Sequence, residues 1–123
     1  MSTIKVGTLL AANGSTTTQP SIPALDTRMA KVWLNYNGNG TPTIRDSYGV
    51  SSVTDNGTGY YTINYATTLG SSYQGKVMSA DVGGWSTGRL QVAAESTSNS
   101  QVKVWHSDGS ITDGVVYFIV FGD

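Results

Sequence analysis

What most constrains this chain is a period of two. From Ala30 onward, short runs alternate apolar and polar residues, and turn-forming residues close each run. Successive side chains on a strand point to opposite faces, so this period writes half-buried strands. Residues 31–36 form the first run, closed by Asn37, Gly38, Asn39 and Gly40. Residues 48–53 follow, closed by Asp55, Asn56 and Gly57. In residues 60–67, Tyr61, Ile63 and Tyr65 share one face, with Tyr60, Thr62 and Asn64 on the other. Residues 76–82 run into Gly83 and Gly84, and residues 89–95 and 101–106 come next. Asp108 and Gly109 then supply a hairpin-turn signal. No window carries apolar residues at helical spacing, and Gly, Ser and Thr are too frequent for a stable helix. Seven or eight short strands, with turns every 8–12 residues or so, predict an all-β fold: an antiparallel β-sandwich, jelly-roll-like.

The last run is of another kind. Residues 115–121 are apolar throughout. Such a strand is either covered by its own chain on both faces, or has one face in the core and the other on a neighbouring subunit. In the second case Val115, Tyr117, Ile119 and Phe121 form an oligomer interface, because an apolar face of that size promotes association.

Before this body, residues 30–123, lies an arm, residues 1–29. It holds one strand-like run, residues 3–10, and a Ser/Thr tract with Pro20 and Pro23, which favour extended backbone. A lone strand cannot stabilise itself and must add to a sheet. Ile4, Val6, Leu9 and Leu10 are its apolar positions, and they are the candidate anchor. The stretch from Asn13 to Pro23 can span about 35 Å, at roughly 3.3 Å per residue, which reaches a neighbouring protein.

Composition narrows the function. At 123 residues the chain suits one domain with one core. Charged residues are 12%, with Ser, Thr, Asn and Gly in their place, and aromatics are 10%; a disordered chain has the opposite balance. The seven Lys and Arg are scattered singly against a net charge of −1, which argues against nucleic acid as a partner. No apolar run is long enough for a membrane helix, and the N-terminus is a poor signal peptide. Without cysteine there is no disulfide, thiolate metal site or Cys nucleophile. A small disulfide-free domain outside the cell gains stability from another source, such as oligomerisation.

Catalytic chemistry finds little support. His106, Ser107 and Asp108 are adjacent, yet neighbouring strand residues face opposite ways, so Ser107 cannot meet His106 as a nucleophile must. Eight acids are present, several in turn settings where Asp serves the local backbone, and nothing pairs two of them across a cleft. Residues 55–59 lack the acidic spacing of a calcium loop, and a lone histidine does not make a zinc site. The expectation is therefore no catalytic residue, no metal and no cofactor. Three Asn-Gly-Ser/Thr matches to the glycosylation sequon mark surface turns only. The aromatics are more suggestive. Trp85, after two glycines, and Tyr73 are loop-proximal, and Trp105 lies in the run over residues 101–106. A flat aromatic beside hydroxyls and amides holds a sugar ring by apolar stacking plus oriented hydrogen bonds. Trp85, Tyr73 and Trp105 are the candidate glycan contacts.

Two segments carry a resemblance. Residues 28–38, RMAKVWLNYNG, and residues 44–65, with SYGVSSVTDNGTG followed by YTINY, resemble the distal domains of bacteriophage tail-fibre proteins, especially those of phages of cyanobacteria and marine bacteria. The first five residues and the terminal Val120, Phe121, Gly122 and Asp123 are similar more weakly, and the resemblance does not extend to residues 70–95. The resemblance implies a homotrimeric, β-rich, non-enzymatic domain on the virion surface, made in the host cytoplasm, alongside other virion proteins and in contact with host-surface polysaccharide. Fold analogy by itself does not carry that role. Fibre proteins are long; a separate chain of 123 residues opening at Met1 would also suit a trimeric capsid decoration or cement protein whose arm grips its neighbours by strand addition. Rival readings are a free-standing carbohydrate-binding module and, third, a glycan hydrolase.

Overall fold

The computed structural model describes residues 2–16, 22–26, 28–83 and 87–122. Eight strands follow the order of the chain: β1 (Val32–Asn37), β2 (Thr43–Tyr48), β3 (Val50–Asp55), β4 (Tyr60–Tyr65), β5 (Gly75–Asp81), β6 (Thr87–Glu95), β7 (Asn99–Trp105) and β8 (Val115–Phe121). One helical turn, α1 (Pro23–Asp26), precedes them. Every strand pairing is antiparallel, in the order β2-β1-β8-β5-β6-β7-β4-β3. The two edge strands, β2 and β3, are consecutive in sequence, so the sheet is nearly closed. The all-β antiparallel expectation holds. The jelly-roll detail is not confirmed by this order, in which the β5-β6-β7 meander lies between β8 and β4.

Gly49 makes the near-closure possible. It separates β2 from β3 at φ +70°, and a Cβ there would sit 2.3 Å from the Lys31 carbonyl oxygen. Only glycine tolerates both the dihedral and that backbone approach. The chain thus leaves one end of the sheet and enters the other in a single residue.

The core lies between the two halves of the curled sheet. Val32, Leu34 and Tyr36 of β1 and Val116, Phe118 and Val120 of β8 pack with Tyr61, Ile63 and Tyr65 of β4 and Val102 and Val104 of β7. These are the alternate positions of each strand, as period two requires. Tyr36 and Tyr61 meet edge to face across the halves, ring centroids 5.0 Å apart. The hydroxyls of Tyr61 and Tyr65 are satisfied. Tyr61 Oη donates to Asp113 Oδ1 at 2.8 Å, and the same oxygen accepts the Gly59 amide at 2.8 Å. Tyr65 Oη lies 2.6 Å from Ser100 Oγ, a hydroxyl buried in the core. Burial raises the hydroxyl pKa of Tyr61, reinforced by the hydrogen bond and charge of Asp113. Burial is also the first cause for Tyr36 and Tyr65. All three hydroxyls stay neutral, as burial favours.

Three sequence expectations change. Residues 43–55 form two strands, not one run over 48–53, because β2 is an edge strand exposed along almost its whole length and has no buried face to alternate. Residues 3–10 are not a strand: residues 2–10 are exposed and unassigned, with Ile4 87%, Val6 60%, Leu9 61% and Leu10 42% exposed. Alternation specifies a strand only where a sheet edge receives it. Finally, Val115 does not belong to an exposed face. It is buried together with Val116, whereas Tyr117 is 41% exposed and Ile119 and Phe121 are half-buried. β8 is central in pairing, between β1 and β5, but its own chain covers it fully on one face and only in part on the other.

Candidate functional site on the outer face of β4, β6 and β7

The residues that alternate with the core on β4 and β7 point away from it, and pairing sets them side by side. Tyr60 lies opposite Lys103, Thr62 opposite Gln101 and Asn64 opposite Asn99. On the other flank of β7, Gln91 lies opposite Lys103 and Arg89 opposite Trp105. Side chains directly opposed in antiparallel strands are neighbours about 5 Å apart, so these residues form one continuous outer face. β3 extends it: Asn64 Nδ2 donates to Ser52 Oγ at 3.0 Å and Thr54 Oγ1 at 3.1 Å, and Asn56 Nδ2 to Thr62 Oγ1 at 2.7 Å.

Its chemistry is specific. Trp105 Nε1 donates to Gln91 Oε1 at 3.0 Å, and the Arg89 guanidinium sits 5.5 Å from the Trp105 ring centre. Lys103 Nζ lies 5.1 Å from the Tyr60 ring centre, and Tyr60 Oη donates to Gln101 Oε1. Each ring is fixed by an amide and accompanied by a cation. Amides and hydroxyls fill the rest, and no carboxylate stands among the paired outward positions of β4, β7 and the Arg89–Gln91 part of β6. Such a surface can stack a flat apolar ring face and offer directed donors and acceptors around it.

The sequence candidates divide. Trp105 lies within this face. Tyr73 is 92% exposed in the loop between β4 and β5. Its neighbour Gln74 bonds the Ser96 carbonyl at 3.2 Å, near the start of β7, whereas Trp105 ends that strand, so the two aromatics stand about 20 Å apart at 3.3 Å per residue. Trp85 lies outside the described residues. Tyr60, Arg89, Gln91, Gln101 and Lys103 escaped sequence reasoning as a set. Alternation does put Gln101, Lys103 and Trp105 on one side of Val102 and Val104, but only the register brings Arg89, Gln91 and Tyr60 to them.

The residues around His106 form a turn. Gly109 takes φ +87°, and the His106 amide donates to the Ser110 carbonyl at 2.8 Å. Asp108 Oδ1 accepts Ser110 Oγ at 2.6 Å and lies 3.3 Å from His106 Nδ1. The carboxylate thus stands between hydroxyl and imidazole, the reverse of a nucleophile–base–acid relay. Hydrogen bonds from Ser110, then the His106 ring, hold the Asp108 carboxyl below its usual range. Among the described residues no three His, Asp or Glu cluster as a metal site, and no helix is long and apolar enough to cross a membrane. Compared with family models, curated proteins and solved structures, the chain matches none.

Proposed function

We propose that this chain is a non-catalytic surface module of a phage virion, tail-fibre-tip-like, and that the outer face of β4, β6 and β7 holds host-surface polysaccharide. The observation that carries the binding role is the pair of oriented aromatics, Trp105 and Tyr60, set among Gln91, Gln101 and the Asn64 cluster. Sugar recognition needs an apolar platform flanked by directed hydrogen bonds, and this face supplies both. The virion assignment draws on the resemblance of residues 28–65, which build β1 to β4. Glycan-array binding tests the reading. The folded protein is expected to retain host-surface polysaccharide, and Trp105→Ala is expected to weaken retention at least about tenfold, or 1.4 kcal/mol. Tyr73→Ala, at the far end of the sheet, leaves it unchanged. An array with no bound glycan, or equal loss from both variants, rejects the face.

A second reading, a capsid decoration protein anchored by its arm, is favoured by one observation. Ile4, Val6, Leu9 and Leu10 are exposed on a segment with no strand partner, which is the form of a strand awaiting a sheet. Deleting residues 2–27 is expected to leave the circular-dichroism signal of the β body unchanged and to abolish co-sedimentation with particles lacking the protein. Undiminished co-sedimentation removes the anchor role. Loss of the β signal instead makes the arm part of the fold.

A further inference from the structure

The charges on the outer face narrow the ligand further. Arg89 and Lys103 both stand on it, and neither forms an ion pair among the described residues. This is unusual in a chain with more acids than bases, eight against seven. The reason is that the described carboxylates are engaged elsewhere. Asp46, Asp55 and Asp81 accept nearby backbone amides, of Ser47, Gly57 and Gly83. Glu95 pairs with Lys76, Asp108 with Ser110, and Asp113 with Tyr61. The face is therefore locally positive on a protein whose net charge is −1.

The two cations are also positioned. Each lies over a ring that is itself hydrogen-bonded to a glutamine, Arg89 on Trp105 and Lys103 on Tyr60. A cation over a ring keeps its remaining N–H groups for a ligand, and holding the side chain in place lowers the entropy lost on binding. Gln91 is opposite Lys103 on β6, so Arg89 is its diagonal neighbour, with side-chain origins about 7–8 Å apart. An anionic group on a sugar stacked here would meet either cation without displacing a carboxylate.

From this, and resting on the glycan-binding reading above, we infer that the face selects acidic glycans, those carrying carboxylate or sulfate, over neutral ones. Amides and hydroxyls outnumber the two cations and suit sugar hydroxyls, which sets the ligand apart from a single-stranded nucleic acid that would engage a longer cationic track.

The test is a binding titration of the full chain against a panel of oligosaccharides: uronate-, sialate- and sulfate-bearing fragments, neutral counterparts of matched backbone, and an oligothymidylate. Acidic fragments are expected to bind at least about tenfold more tightly than their neutral counterparts, with the preference falling as salt rises. Lys103→Gln and Arg89→Gln are each expected to remove most of that preference while circular dichroism stays unchanged, and Lys103→Arg to retain it. Binding by the uronate and sialate fragments alone, or by the sulfate fragments alone, upholds the inference and identifies the anion. Equal affinity for acidic and neutral fragments overturns the charge selection and leaves the glycan reading standing. Binding to none of the sugars overturns both. Oligothymidylate binding as tight as that of the acidic sugars overturns the inference in favour of a nucleic-acid surface. Should either glutamine variant misfold, loss of preference in the other decides the question.

Discussion

Phe118→Ala is expected to destabilise the fold by about 3–5 kcal/mol. Phe118 is fully buried, at 0% exposure, on the strand that joins β1 to β5. Its partners in register, Leu34 on β1 and Met78 on β5, lie in the same buried layer. Loss of the ring removes its transfer free energy and leaves a void between two halves of a sheet that are hydrogen-bonded into position and collapse little. A domain of this size has about 5–15 kcal/mol to lose, so the variant stands at or near the edge of stability. Thermal unfolding followed by circular dichroism gives the answer: a fall of more than about 10 °C is expected. Phe118→Leu, which keeps most of the volume, is expected to fall much less. A loss under about 1 kcal/mol for the alanine variant would show that the core between β8 and β4 is looser than its burial indicates.

The contrast between legible and illegible parts of this chain has a simple physical origin. Alternation reports burial on one face, so it located the strands with an inner and an outer side, such as β1 with Val32, Leu34 and Tyr36 inward. It failed for β2, where Thr43, Ile44, Arg45 and Asp46 are all exposed and only Ser47 is half-covered. It over-reached for residues 3–10, because a strand pattern says nothing about whether an edge is present to accept it. The outer face of β4, β6 and β7 was legible in its single residues: Trp105 was a candidate, and Tyr60, Thr62 and Asn64 were on one side of their run. Its assembly was not, because β7 pairs with β6 on one side and on the other with β4, which joins residues as far apart as Tyr60 and Lys103. Register of that range depends on the whole fold, not on local sequence.

The second large effect concerns the other outer face, where β2, β1, β8 and β5 turn away from the core. Register places Tyr48, Trp33, Ile119 and Val77 in one row across the four strands, since Trp33 pairs with both Tyr48 and Ile119, and Ile119 with Val77. Val77 is 61% exposed and Tyr48 38%, and the adjoining Tyr117 is 41% exposed. Between Asp46 and Tyr117 in the next row stands Asn35, whose Oδ1 is buried without a hydrogen-bond partner among the described residues, a cost of roughly 1–3 kcal/mol that a donor from a neighbouring chain would relieve. The row also runs out at an open edge. Among the described residues β5 pairs with β6 only at Ala80 and Asp81, so the backbone of residues 75–79 has no described ladder partner on that side. A continuous aromatic and aliphatic row, an unsatisfied acceptor and an unpaired edge would each be relieved by contact with another copy. The homotrimer that the resemblance implies is expected to form through it. Sedimentation equilibrium at micromolar concentration is expected to give the trimer for the native chain. It is expected to give the monomer for Val77→Asp combined with Ile119→Asp, since each buries a carboxylate with no partner in the assembled state. The same two changes point away from the core, so the β signal is expected to persist. A native chain that sediments as a stable monomer ends the trimer proposal, and a doubly substituted chain that remains trimeric moves the interface to a different face.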